Sequence, residues 1–423
     1  MNQFTFESKQ KTVLFGFMGL GLLCLLLAFF LDSQPFHVRF WTNFLHNTVF
    51  FTGIGFISLF IYAAFITSWA GWYTQFKRVL ESMSMFMVPG LILLLVVIAG
   101  LWAGWHELYH WADTEEVAKD AVLQGKSGFL NKGWYTIGTL AIVGIWIYFA
   151  MRLRSLSLAE DQNGGVDFAH HRTMRRWAAA FLPIAGFSSA AVIWQWMMSI
   201  DAHWYSTLYA WYTGASWFVA GTAMVILFLI YLKSKGYYES VKEDHLHDLG
   251  KYVFAISIFW TYLWFSQYML IWYANVGEET SYFQTRMHDY PVLFYGNLIL
   301  NFVLPFFILM RNDTKRKYGT LVLVSILVIL GHWLDFFQMI KPGALDTAIH
   351  AAGAHGGEHI AGAGGHGDHG AFLMGFTIPG LLELGTMLGF AAFFVYMVFA
   401  RLEKVSLEPV NDPYMAESAH HHV

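Results

Sequence analysis

Ten separate stretches of this chain are each apolar for about the 20 residues that a helix needs to cross a bilayer. They fall at 12–31, 44–69, 86–105, 135–151, 178–198, 209–232, 252–273, 292–310, 319–339 and 376–400. Lipid offers no water to backbone N–H and C=O groups, so a spanning segment must be a helix or a strand of a closed barrel. Barrel strands are short and alternate in polarity. These runs are longer and do not alternate, so the expected fold is all-α and integral to a membrane, with ten transmembrane helices. Only 13% of the residues are charged and 57% are hydrophobic, which lies outside the range of soluble domains. Pro89, Pro183, Pro291 and Pro379 read as helix starts. Pro305 falls inside the eighth run and should kink it.

The basic residues give the crossings a direction. Of the 25 Lys and Arg, nineteen fall on the side that carries the two ends of the chain. The other six are Arg39, Lys119, Lys126, Lys132, Arg286 and Lys341. The positive-inside rule then puts both termini in the cytoplasm. An odd number of helices would scramble this separation. The first run is long enough to span and lacks an A-x-A-like exit, so it reads as a retained anchor rather than a cleaved signal. The basic residues form no continuous stripe, so no nucleic-acid partner is expected.

Ionisable residues inside a bilayer are costly, and each is a candidate site. In the ninth run, His332 and Asp335 are three apart and share one helix face. His332 lies about 12 Å below the external end of that run at the helical rise. Glu383 in the tenth run has a similar depth. Asp201 and His203 follow the fifth run at its external mouth, and His106 and Glu107 follow the third. A carboxylate beside an imidazole passes protons near neutral pH. His332, Asp335 and Glu383 are thus candidate proton-handling groups, with His106, Glu107, Asp201 and His203 at the mouth. Gln195 and Gln267 read as polar glue between helices. Lys77, Arg78 and Glu81 read as a solvated loop and helix entrance, and few buried ionisable groups are expected in the cytoplasmic half.

Other chemistries have weaker support. His106-Glu107-Leu108-Tyr109-His110 matches H-E-x-x-H, in which two histidines on one helix face bind zinc and the Glu acts as base. The Asp-Gly pair that accompanies it in a later helix of membrane proteases is missing. Haem b needs paired deep histidines; only His332 reads as deep, with His46 and His106 near the surface. The single cysteine, Cys24, cannot hold an iron–sulfur cluster. The segment 341–375 reads as a flexible external loop rich in Ala, Gly and His, with weak metal capture as the alternative.

Two stretches resemble a known family. They are Trp194-Gln-Trp-Met-Met-Ser-Ile-Asp201-Ala-His203-Trp-Tyr-Ser-Thr207, continued by Leu-Tyr-Ala-Trp-Tyr212, and Gly331-His332-Trp333-Leu334-Asp335. They are similar to the quinol:cytochrome c oxidoreductases called alternative complex III, and most to the second of the two large membrane subunits of that complex. Both of those subunits are similar to the polysulfide reductase membrane anchor, the NrfD-like family. The resemblance spans nearly the whole chain. It implies two four-helix bundles, helices 2–5 (44–198) and helices 6–9 (209–340), flanked by helices 1 and 10.

The resemblance also implies partners. These are a sister NrfD-like subunit, an iron–sulfur subunit and c-type haem subunits, with a terminal oxidase as a further candidate. It implies no cofactor in this chain, with haem c and the clusters in the partners. It places the better-supported quinol site in the sister subunit and gives a chain of the present kind a role in conducting protons or supporting the complex. Whether quinol binds this chain stays open. The alternatives are a stand-alone proton-coupled transporter and an intramembrane zinc protease acting through His106, Glu107 and His110.

Overall fold

The computed structural model describes residues 3–163, 168–354 and 373–422. Ten helices in it are long and apolar enough to cross a membrane: α1 (Ser8–Phe30), α2 (Pro35–Thr67), α3 (Thr74–Ala103), α4 (Lys132–Gln162), α5 (Ala169–Ile200), α6 (Leu208–Ser234), α7 (Glu243–Ala274), α8 (Pro291–Leu309), α9 (Tyr318–Gly353) and α10 (Leu381–Leu402). Among the described residues there is no strand, only isolated bridges. The chain is thus all-α, as its apolar runs require.

Helix α2 packs on α3 and α5, and α4 touches both of those. Helix α6 packs on α7 and α9, and α8 touches both of those. The two groups meet where α2 contacts α6 and α9. Helix α2 is accordingly buried along almost its whole length, including Asn43, His46 and Asn47.

Helices α1 and α10 lie against each other at one flank. Gly21 faces Gly389, and Cys24 faces Gly385, with no room for a Cβ at either α10 glycine. Gly385 and Gly389 form a G-x-x-x-G face, the small-residue spacing that brings helix backbones together in lipid. Gln3 bridges to Ser406, Phe4 and Phe6 pack on Phe399, and Lys11 pairs with Glu403 at 3.4 Å. Both ends therefore lie on one face, termed proximal here; the opposite face is termed distal.

Prolines mark the irregularities. The break in α3 at Met85 and Phe86 precedes Pro89, which cannot donate to the Met85 carbonyl. A π turn at Ile299–Val303 precedes Pro305 in α8. Pro183, expected at a helix start, instead lies within a continuous helix.

Three further expectations need correction. Lys77, Arg78 and Glu81 are not in a solvated loop: each is at most 1% exposed, in the first turns of α3. His46 is not near the surface but wholly buried, with Nε2 2.9 Å from the Trp333 carbonyl. The segment after Lys341 does not leave the helix, because α9 runs on through Pro342 to Gly353. His350 is on that extension, whereas His355, His359, His366 and His369 lie outside the described residues.

Candidate functional site

The deepest polar site is built on α9. Asp335 is 1% exposed and lies among three donors from two other helices. The Tyr212 hydroxyl donates to Oδ1. The Ser216 hydroxyl reaches Oδ2 at 3.2 Å, and the Trp260 indole N–H reaches it at 3.1 Å. Tyr212 and Ser216 are four apart on α6 and so present one face. Ser216 Oγ is also 2.8 Å from His332 Nδ1.

A hydroxyl has one hydrogen. If Ser216 donates it to Asp335, His332 must carry its proton on Nδ1 and donate to Ser216. That leaves His332 Nε2, buried and without a protein partner, as the free end of the chain. The three groups thus form a line, His332 to Ser216 to Asp335. Among the described residues no lysine or arginine pairs with Asp335.

A void of about 20 Å³ lies beside Asp335, lined also by Tyr212, Gln267, Tyr282, Arg286 and Gln338. That is space for about one water. Beyond it, Arg286 donates from Nη2 to Asp201 Oδ2 at 2.9 Å and lies 3.4 Å over the Tyr282 ring. Gly343 of the extended α9 sits against the Asp201 carboxylate, where a Cβ would collide. Asp201, at the end of α5, is partly exposed on the distal side. Polar side chains thus line up from His332 to the distal face, with one water-sized gap between Asp335 and Arg286.

The other expected residues lie elsewhere. Glu383 forms a bidentate pair with Arg39, Oε1 to Nε at 2.8 Å and Oε2 to Nη2 at 3.0 Å. It also accepts from Asn43 Nδ2 at 3.0 Å and from the Gly380 N–H at 2.9 Å. It caps α10 and fastens it to α2. His46 and Asn47, which hold Trp333, belong to the α2 face between Glu383 and the His332 site. His203 is exposed and pairs with Asp120 at 2.5 Å; that hydrogen bond holds the Asp120 carboxyl below its usual range.

The H-E-x-x-H stretch is not helical. Helix α3 ends at Ala103, and Gly104 turns the chain with φ of 68°. His106 folds back so that Nε2 lies 3.1 Å from the Val97 carbonyl and its ring packs on Trp41. His110 points to Glu116 and His203. His106 and His110 therefore share no helix face, which removes the geometry that a zinc protease needs.

His106 is 3% exposed, and burial lowers its pKa to about 4. Between that value and the unfolded value of about 6.5, only the unfolded chain takes up the proton. Stability is therefore full above pH 6.5 and falls as pH drops toward 4, by of order 3 kcal/mol. His106→Gln should flatten that slope. Unfolding midpoints of the detergent-solubilised chain across pH 4–7 check this, and an unchanged slope would refute it.

A second polar cluster, unforeseen in the sequence, lies near the proximal face. Arg78 donates to Glu81 at 2.7 Å and to Ser157 at 3.0 Å, and also pairs with Asp161. The Tyr62 hydroxyl donates to Glu81 at 3.0 Å. Lys77 pairs with Asp412 at 2.5 Å and with Glu160 at 3.5 Å. Glu160, His171 and Asp412 bring ligand-type atoms within 4.8 Å of one another. The Lys77 ammonium stands against two of these three groups, Asp412 and Glu160.

No family model matches the chain. No curated protein matches its sequence either. Its class is thus defined by its own architecture: a multi-pass α-helical membrane protein with a buried Asp–Ser–His row inside its helix bundle.

Proposed function

We propose that this chain is a cofactor-free membrane subunit of a respiratory quinol:cytochrome c oxidoreductase of the alternative complex III type, with His332 and Asp335 passing protons toward the external side. One observation carries the reading. The two stretches on which the family resemblance rests are far apart in sequence, yet Tyr212 at the end of the first donates to Asp335 at the end of the second. Asp201 of the first stretch stands at the distal mouth of the same row. Proton release accompanies quinol oxidation, and a buried carboxylate linked to an imidazole suits that task.

In this reading the membrane is a bacterial inner membrane and both termini are cytoplasmic, in line with the bias of basic residues. The partners are the sister NrfD-like subunit, the iron–sulfur subunit, the c-type haem subunits and a terminal oxidase. Glu383 serves as a structural tie rather than as a proton carrier, because both its oxygens are engaged by Arg39.

The test uses the complex purified from native membranes. Asp335→Asn and His332→Phe should each lower quinol-driven cytochrome c reduction by about tenfold or more, as expected for loss of a general acid–base group. Normal turnover and normal proton release in a fully assembled variant would sink the proposal. So would a chain that purifies alone, without haem-bearing partners.

A further inference from the structure

A cavity of about 190 Å³ lies at the distal end of α5, away from the Asp335 row. Its walls include Phe129, Trp194, Met198, Ala202, Trp204 and Tyr205. A pocket of about 150 Å³ suffices for a benzene ring, so this one takes a single ring or a short length of lipid chain.

Its polar groups are one-sided. The indole N–H groups of Trp194 and Trp204 are both buried without a hydrogen-bond partner. Trp204 is 4% exposed and stacks on Tyr282 at 3.8 Å. Buried indole N–H groups ordinarily find an acceptor. An indole N–H only donates. Of the other polar side chains of the lining, Tyr205 is 59% exposed, and Lys126 and Ser199 are already engaged. Lys126 Nζ donates to the carbonyls of Ala202 at 2.7 Å and His203 at 3.2 Å, and the Ser199 hydroxyl donates to the Gln195 carbonyl at 2.6 Å. No carboxylate or imidazole lines the cavity, so nothing there is placed to take a proton from a hydroxylated ligand.

We infer that this cavity binds an apolar molecule through carbonyl-type oxygens that accept from Trp194 and Trp204. A membrane supplies that chemistry from two sources: the ring of an oxidised quinone, and the ester region of a phospholipid. The site is one of binding, not of oxidation, and it does not depend on the chain belonging to a respiratory complex.

The full chain in nanodiscs is irradiated with an isoprenoid azidobenzoquinone and digested. In parallel, the detergent-released chain is weighed by native mass spectrometry for retained phospholipid. The quinone source predicts labelling within 125–130 or 194–205 that unlabelled quinone competes away. The lipid source predicts a phospholipid that survives delipidation.

In either arm Trp194→Phe, which keeps the ring and removes the donor, weakens binding about fivefold, the worth of one hydrogen bond. Ala202→Leu fills the space and abolishes binding. A Trp194→Phe protein that keeps its melting temperature confirms that the loss is local. Neither ligand bound, or binding indifferent to both substitutions, overturns the inference.

Discussion

Arg78→Met is expected to destabilise the folded chain by about 3–5 kcal/mol, the cost of breaking a buried ion pair from one side. Arg78 is wholly buried and serves two carboxylates, Glu81 and Asp161, as well as Ser157. Removing it leaves Arg154, 3.8 Å away, as the only ion-pair partner of Glu81 among the described residues. The double variant Arg78→Met/Glu81→Leu should recover much of the loss, because a buried pair replaced as a unit by apolar groups is often neutral. The readout is the melting temperature of the purified chain in detergent. A single variant that melts like the parent would show that water reaches the cluster and screens it.

Gly389→Leu is expected to pry α1 away from α10. The added Cβ would fall on the Gly21 backbone, which no side-chain rotation can clear. Overpacking of this kind costs about 1–3 kcal/mol, and α1 has little other packing with which to resist it, since most of its surface faces outward. Cys24 is the only cysteine in the chain and is buried on Gly385, so it reports the separation without added labels. Maleimide labelling of Cys24 should rise by about tenfold or more, in keeping with that cost. Labelling no faster than in the parent chain would show that the two helices do not rely on this contact.

The ten helices were legible in the sequence because lipid enforces them. A segment that crosses hydrocarbon has to be apolar throughout and to satisfy its own backbone, so the run length betrays it. His332, Asp335 and Glu383 were legible as buried charges for the same reason. Which of them meet was not legible. Glu383 was grouped with the other two by depth along a helix, and depth says nothing about azimuth; α2 carries the groups that bind it.

Lys77, Arg78 and Glu81 were misread because hydropathy treats every charge as solvated. Their partners are Ser157, Glu160 and Asp161 on α4 and Asp412 beyond α10, and only tertiary structure brings these together. Tyr212, Ser216 and Trp260 were missed as site residues because hydroxyls and indoles cost little in an apolar run and leave no gap in it. The one available signal was the four-residue spacing of Tyr212 and Ser216. The H-E-x-x-H pattern misled in the opposite direction, since Gly104 ends the helix before the first histidine.

The pairing of Lys77 with Asp412 joins residues 335 positions apart. Burial alone would raise the Asp412 carboxyl, yet Lys77 holds it below its usual range. During synthesis α3 enters the membrane long before residue 412 has been made. Of the two ion-pair partners of Lys77 among the described residues, only Glu160 precedes that point in the chain. A chain halted after α10 would therefore have every crossing in place and still lack the pairing of Lys77 with Asp412. The segment after α10 thus supplies a tie at the proximal face that the ten crossings alone do not provide.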